Sequence, residues 1–394
     1  MYEGLPIATN KIPPEDRKGI PHHLLSCVRL DKEPWTVRQF RDRASGVIEE
    51  IRSRGRLPIL VGGTHYYTQS LLFNDAVVEP EDSESRTEEE NERKWPILDS
   101  TTEVILEELR KVDHAMATRW HPNDRRKIRR SLEIWLTTGK KASDVYNQQR
   151  QESSIVNLDN AVQPFVEESR SPLAYDSFVL WTWASSDVLN QRLAERVDKM
   201  VFEGLLDEVE SMYDFMQEQA QLGKIVDQSR GIWVAIGFKE LLPYITSNKR
   251  SAKLRQEGID CTKIANRQYA KRQVRWIKLK LQRAISAAGA CDKLFLLDAT
   301  DLTQWHSVEE RAQDITAAFL DGGMLPKPES LSDAAGEMLV MTEEDPKSAR
   351  RCEICGKTLM SEQEWISHLK SKGHKSAVTP KIDWQALYPK NNHE

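Results

Sequence analysis

Apolar positions along the chain follow two rhythms. Val37, Phe40, Ala44, Val47, Ile48 and Ile51 recur at helical spacing, and Gly55 stands where that helix should stop. Leu57, Ile59, Leu60 and Val61 follow at once as a short continuous apolar run, the pattern of a strand covered on both faces. The run breaks at Gly62 and Gly63, so this α/β unit places a glycine pair where ligands sit in such folds, beyond the carboxyl end of a strand. Strand character returns in DSFVLWTWA (Asp176 to Ala184), followed by a long helix with Leu189, Leu193, Val197 and Val201 on one face. A further strand, LFLLDA, starts at Leu294, and a helix ending at Ser286 lies between the two. Strands alternating with helices predict a parallel sheet. Residues 95–150 read as wholly helical, an insertion in which Ile128, Leu132 and Trp135 fall at i, i+4 and i+7 and so face a core.

Composition adds bounds. At 394 residues the chain has room for two or three domains, and its net charge of -5 means that any nucleic-acid site must be local. Two basic stretches qualify. Arg125, Arg126, Lys127, Arg129 and Arg130 put five cations into six residues, expected to face solvent and to repel unless an anion such as a phosphate backbone lies near. From Cys261 to Cys291 the helix carries eight Lys and Arg and no acid, with Ala270, Val274, Ile277, Leu281 and Ile285 as its buried stripe. Arg267, Lys271, Arg275 and Lys278 form a basic stripe beside it. The acid-rich stretch Glu79 to Lys94 reads as an exposed connection, and Asp321 to Arg350 has the composition of a linker. Five cysteines, of which only Cys352 and Cys355 are closely paired, suit a reducing intracellular compartment, and no apolar run approaches a membrane span.

Near the carboxyl end, Cys352-x2-Cys355-x12-His368-x5-His374 has the spacing of a tetrahedral Cys₂His₂ zinc site. Ser361 and Glu364 form a Ser-x-x-Glu box that starts a helix through His368, with Trp365 and Leu369 available to fill a small core. In the long gap between the histidines and the Lys370 to Lys375 segment the motif resembles fingers that bind structured RNA, with a protein partner as the alternative.

Taken in order, GLPIATNK (Gly4 to Lys11), GIPHHLL (Gly19 to Leu25), VGGTHYY (Val61 to Tyr67), HPNDRRKIRRSLEIW (His121 to Trp135), TGKK (Thr138 to Lys141), AIGFKE (Ala235 to Glu240), RQYAKRQVRWIK (Arg267 to Lys278) and LLDATDL (Leu296 to Leu302) resemble the eukaryotic tRNA dimethylallyltransferases. That resemblance implies a P-loop NTPase-like parallel α/β core with a helical tRNA-binding insertion and a C₂H₂ zinc finger. It implies transfer of a dimethylallyl group from dimethylallyl diphosphate, held with Mg²⁺, to N6 of adenine 37 in the tRNA anticodon loop. The family's diphosphate cradle, G-x-x-x-x-G-K-[ST], is not found in this sequence, nor is the Asp-Ser-Met-Gln segment whose Asp is the expected general base. The core is therefore expected to be incomplete, through a truncated gene model or isoform or through lost catalysis.

By the same resemblance Thr64 contacts the target nucleotide, with a helix N-cap as the competing role, while Arg126, Lys127, Arg129 and Arg130 meet tRNA. Arg267, Lys271 and Arg272 match the family's basic motif, and Gly237, Phe238 and Lys239 fall at its tRNA surface, although a core turn accounts for Gly237 and Phe238 nearly as well. Tyr66 and Tyr67 are either base-stacking or core. The expected organisation is a core over 1–79 and 166–321, an insertion over 80–165, a linker over 322–350, a finger over 351–376 and a tail over 377–394. A monomer is expected, cytoplasmic with mitochondrial or nuclear forms. The rival functions are a non-catalytic zinc-finger RNA-binding protein and a small-molecule P-loop kinase relative.

Overall fold

The computed structural model describes residues 1–73, 95–148, 173–247, 251–341 and 347–378. In chain order they form α1 (Val37–Ser53), α2 (His65–Leu72), α3 (Thr102–Val112), α4 (His114–Arg119), α5 (Arg125–Thr138), β1 (Val179–Trp183), α6 (Ser186–Phe202), α7 (Leu205–Gln221), α8 (Phe238–Thr246) and α9 (Ala252–Trp276). A π-turn over Ile277–Leu281 carries α9 into α10 (Gln282–Ala287), followed by β2 (Leu294–Asp298), α11 (Trp305–Leu320), α12 (Asp333–Met338), β3 (Lys347–Arg351), β4 (Thr358–Ser361), α13 (Glu362–Lys370) and α14 (Lys372–Val378). The chain divides into two compact units, Met1–Val77 with Arg170–Met341, and Val78–Ser169 with Thr342–Glu394.

In the first unit β1 and β2 pair in parallel, from Val179 opposite Leu294 to Trp183 opposite Asp298, as the strand and helix alternation predicts. Leu294, Phe295, Leu296 and Leu297 are all buried, since helices cover both faces of the pair. On one face Ile277, Leu281 and Ile285 pack against Trp181 and Leu296, so the stripe read along the basic helix is the one that meets the sheet. A second core gathers Leu5, Leu205, Val209, Met212, Trp233, Phe238, Leu241 and Ile259. The helix at Val37 forms as expected: Thr36 and Gln39 make a reciprocal capping box, and Phe40 and Ala44 pack with Leu71 of α2.

Two expectations change here. Leu57, Ile59, Leu60 and Val61 do not form a buried strand; Ile59 is 76% and Val61 87% exposed. Among the described residues no strand lies beside this run, and an apolar segment becomes a buried strand only when neighbours bond its backbone and cover its faces. In the segment read as a linker, Pro328 and Ala335 are buried, and Ala335 packs on the β2 and α10 core; small residues can fill a core despite a polar composition.

In the second unit α3, α4 and α5 enclose Leu98, Ile105, Leu109, Met116, Ile128 and Leu132. Ile134 is also buried, while Trp135 packs at the margin of this core. The finger elements β3, β4, α13 and α14 belong to the same unit. The acidic stretch from Glu79 to Lys94 lies outside the described residues. No helix among the described residues is long and apolar enough to cross a membrane.

Candidate nucleic-acid interface and metal centre

Thr64 occupies the N-cap position of α2, yet its side chain accepts no capping hydrogen bond and it is exposed. The hydroxyl is therefore not committed to the helix. Just before it, the Gly63 carbonyl accepts a hydrogen bond from Gln273 Nε2 at 2.9 Å, tying the glycine pair to the basic helix. A Cβ at position 63 would lie 2.2 Å from that nitrogen, so a side chain there would push Gln273 away. One turn along, Trp276 Nε1 donates to Gln69 Oε1 at 3.1 Å, linking α9 to α2 itself. Tyr67 is half-buried and packs on the core, its ring 5.0 Å from Phe40, whereas Tyr66 is exposed and lies edge-on to Trp276 at 6.4 Å.

Lys271 and Arg272 are exposed and Arg267 is half-buried; among the described residues none of the three forms an ion pair. Arg272 instead lies over the Tyr269 ring at 5.8 Å. At the AIGFKE segment the expected contact set narrows. Gly237 is buried at φ 103°, a backbone that favours glycine, and caps α8 by donating its N–H to Glu240 Oε2 at 2.8 Å. Phe238 is wholly buried against Trp233, so its side chain cannot meet RNA, and only Lys239 offers an exposed one. Burial of an aromatic outweighs its availability for stacking.

Sequence reasoning passed over Arg196 on α6. Its Nε is buried with no hydrogen-bond partner, and burial holds the guanidinium below its ordinary range. Such a group is suited to an incoming anion. Its only sequence signal is a cation inside QRLAERVDKM, which a solvated helix face explains as well.

On α5 the five cations are not the open cluster that their spacing suggests. The Arg125 guanidinium donates to the Ser100 and Leu98 carbonyls, and Arg129 Nε donates to Leu98 at 3.3 Å. Arg130 pairs with Glu133 at 3.0 Å and Lys127 with Asp124 at 2.7 Å. Arg126 is exposed and makes no ion pair among the described residues. The arginine stems are long enough to reach the carbonyls of Leu98 and Ser100, just before α3, which spacing alone does not reveal.

The finger brings together Cys352 Sγ, Cys355 Sγ, His368 and His374, with all ligand atoms within 4.8 Å of one another. His374 Nδ1 lies 3.7 Å from Cys352 Sγ, 3.4 Å from Cys355 Sγ and 3.1 Å from His368 Nε2. A tetrahedral S₂N₂ zinc centre with bonds of about 2.0–2.3 Å spaces its ligand atoms about 3.3–3.8 Å apart, so the side chains fit the ion. Ser361 caps α13 by accepting from the Glu364 N–H at 3.2 Å, and Glu364 Oε2 accepts from Met360 N at 2.9 Å, one residue earlier than the simple box. Leu369 is 40% exposed and does not fill the finger's core; Trp365 instead lies beneath Arg350 at 6.0 Å. Among the described residues no second group of three or more acids, histidines or cysteines comes together.

Geometry thus defines an α/β protein with a helical insertion, cationic surfaces and a Cys₂His₂ zinc finger. A family model described as IPP transferase matches residues 1–280, and one described as zinc-finger of C2H2 type matches residues 350–374. The chain belongs to the IPP transferase family. The tRNA dimethylallyltransferase of Saccharomyces cerevisiae is 36% identical over 391 residues, covering 95% of this chain and 83% of that protein. The human tRNA dimethylallyltransferase is 31% identical over 412 residues, covering 100% and 84%. A solved structure described as crystallographic snapshots of a eukaryotic dimethylallyltransferase acting on tRNA matches with a TM-score of 0.74 at 35% identity, covering 95% of this chain and 87% of that one.

Proposed function

We propose that this protein acts in tRNA dimethylallylation, the transfer of a dimethylallyl group from dimethylallyl diphosphate to N6 of adenine 37, and that its described residues grip the anticodon arm. In the reaction N6 bonds to the first dimethylallyl carbon, the bond from that carbon to the diphosphate oxygen breaks, and a proton leaves N6 to a base. The observation that carries the reading is the Gln273 to Gly63 hydrogen bond. It joins the glycine pair to the basic helix, and the adjacent Thr64 hydroxyl is exposed and uncapped, available to a base edge. Lys271, Arg272 and Lys239 are exposed cations for phosphates, and the unpaired Arg196 nitrogen suits a diphosphate oxygen.

The test separates reading from transfer. Wild-type chain should bind an anticodon stem-loop more tightly with adenine than with guanine at position 37, and Thr64→Ala should erase that preference while leaving overall affinity within about threefold. An unchanged preference in Thr64→Ala would remove the residue from the base contact. Assayed with Mg²⁺ and dimethylallyl diphosphate, stem-loop binding without product would favour the second reading, a non-catalytic RNA-binding protein.

A further inference from the structure

The chain leading into Thr64 has little to hold it in place. From Leu57 to Gly63 it forms no strand, and among the described residues this stretch makes one hydrogen bond, from Gln273 Nε2 to the Gly63 carbonyl at 2.9 Å. A carbonyl only accepts, so the Gln273 amide must present its nitrogen there. Gln273 itself stands on a fixed element. It is half-buried on α9, preceded by the exposed Lys271 and Arg272 and followed by Val274 and Ile277, which pack on the core around β1 and β2. One turn on, the Trp276 indole donates to Gln69 at 3.1 Å, so α9 ties down both α2 and the glycine pair just ahead of it. Gly63 is fitted to this contact: the three atoms nearest to a Cβ built there all belong to Gln273, the closest being Nε2 at 2.2 Å. Its φ lies outside the left-handed region, so alanine would disturb the contact rather than the backbone.

We propose that Gln273 is a positioning residue: without touching the RNA, its amide fixes the turn at Gly62 and Gly63 and thereby aims the Thr64 hydroxyl at the target base. This deepens the reading of Thr64 as a base contact and rests on it. A group that reads a base edge must be held to within roughly 0.5 Å, which a packed helix secures and an exposed run of chain does not. Gln273 carries no charge, so unlike Lys271 and Arg272 it adds nothing to the attraction of phosphates. Loss of its hydrogen bond therefore changes which base is preferred and not how strongly the RNA backbone is gripped.

The experiment uses the full chain, with anisotropy titrations against anticodon stem-loops carrying adenine or guanine at position 37. Gln273→Met keeps the length and helix propensity of the side chain but cannot donate. It should lower the preference for adenine about fivefold, the worth of one neutral hydrogen bond, and leave the salt slope of binding unchanged. Gly63→Ala, which displaces the amide from the opposite side, should lower the preference to a similar degree. Amide exchange over residues 59–64 should quicken in both variants; if circular dichroism shows that one has lost its fold, the other carries the test. In a Thr64→Ala background neither should change the preference further, because the residues act in series. A Gln273→Met loss that adds to that of Thr64→Ala, or exchange over 59–64 indifferent to Gln273→Met, overturns the positioning role. So does a preference lost in Thr64→Ala and kept in Gln273→Met, which leaves the tRNA reading intact. If Thr64→Ala keeps the preference while Gln273→Met still quickens exchange, the reading of Thr64 fails and the hold of Gln273 on the glycine turn stands.

Discussion

Phe238 and Lys239 are adjacent in the chain and opposite in role. Phe238 is wholly buried among Trp233, Leu205 and Leu241, so Phe238→Ala should cost about 3–5 kcal/mol in denaturant unfolding and affect RNA binding only through loss of folded protein. Lys239→Ala should leave the unfolding midpoint unchanged and weaken stem-loop binding in titration. Glu208 offers a pH test. Its carboxylate accepts the backbone N–H groups of Ile7 and Ala8, the latter at 3.0 Å, but burial outweighs these bonds and Lys11 and raises its pKa. A raised carboxyl contributes stability that is fully present below its unfolded value, about 4.3, and is lost as pH rises through the folded value. Thermal melts should therefore show wild type losing stability relative to Glu208→Gln from about pH 4.5 toward neutrality.

At the scale of elements, α5 shows how a helix can hide its charge. Arg125 and Arg129 fasten it to the carbonyls of Leu98 and Ser100, so they act as structural ties as well as cations. Arg125→Ala should lower the melting temperature of the second unit by leaving two carbonyls without their charged donor, a loss of about 1–3 kcal/mol. Arg126→Ala should leave that temperature unchanged while reducing the salt slope of RNA binding by up to about one unit. The helix is also unusual in starting with Arg125, Arg126 and Lys127, cations where the macrodipole disfavours them; Asp124 offsets this by capping the Lys127 N–H and pairing with its ammonium.

For the whole molecule, the two compact units predict two separable responses to metal. Cys352→Ser, or chelation, should abolish stoichiometric zinc and destabilise the second unit, whose finger and insertion share contacts. The first unit has its own cores around Phe238 and the β1 and β2 pair, so its melting transition by calorimetry should stay in place. Falling pH should mimic chelation for the second unit alone, because cysteine and histidine must be deprotonated to ligate zinc.

Periodicity and spacing by themselves determined the local elements and the metal centre. The capped helix at Val37, the strands at Val179 and Leu294, the buried stripe through Ile277, Leu281 and Ile285, and the four zinc ligands are all set by residues close in sequence or by a fixed ligand spacing. Tertiary structure decided everything that depends on a distant partner. Whether the run from Leu57 to Val61 is a strand depends on strands beside it, and among the described residues none is there. Which carbonyls hold Arg125 and Arg129 depends on what folding brings within reach, and both donate to that of Leu98. The Gly63 to Gln273 bond spans 210 positions and the His121 to Thr358 contact 237, so no local pattern could have announced either. The physical reason is that propensity and periodicity act within a turn or a strand, whereas burial and hydrogen-bond satisfaction are settled by groups that only folding brings together.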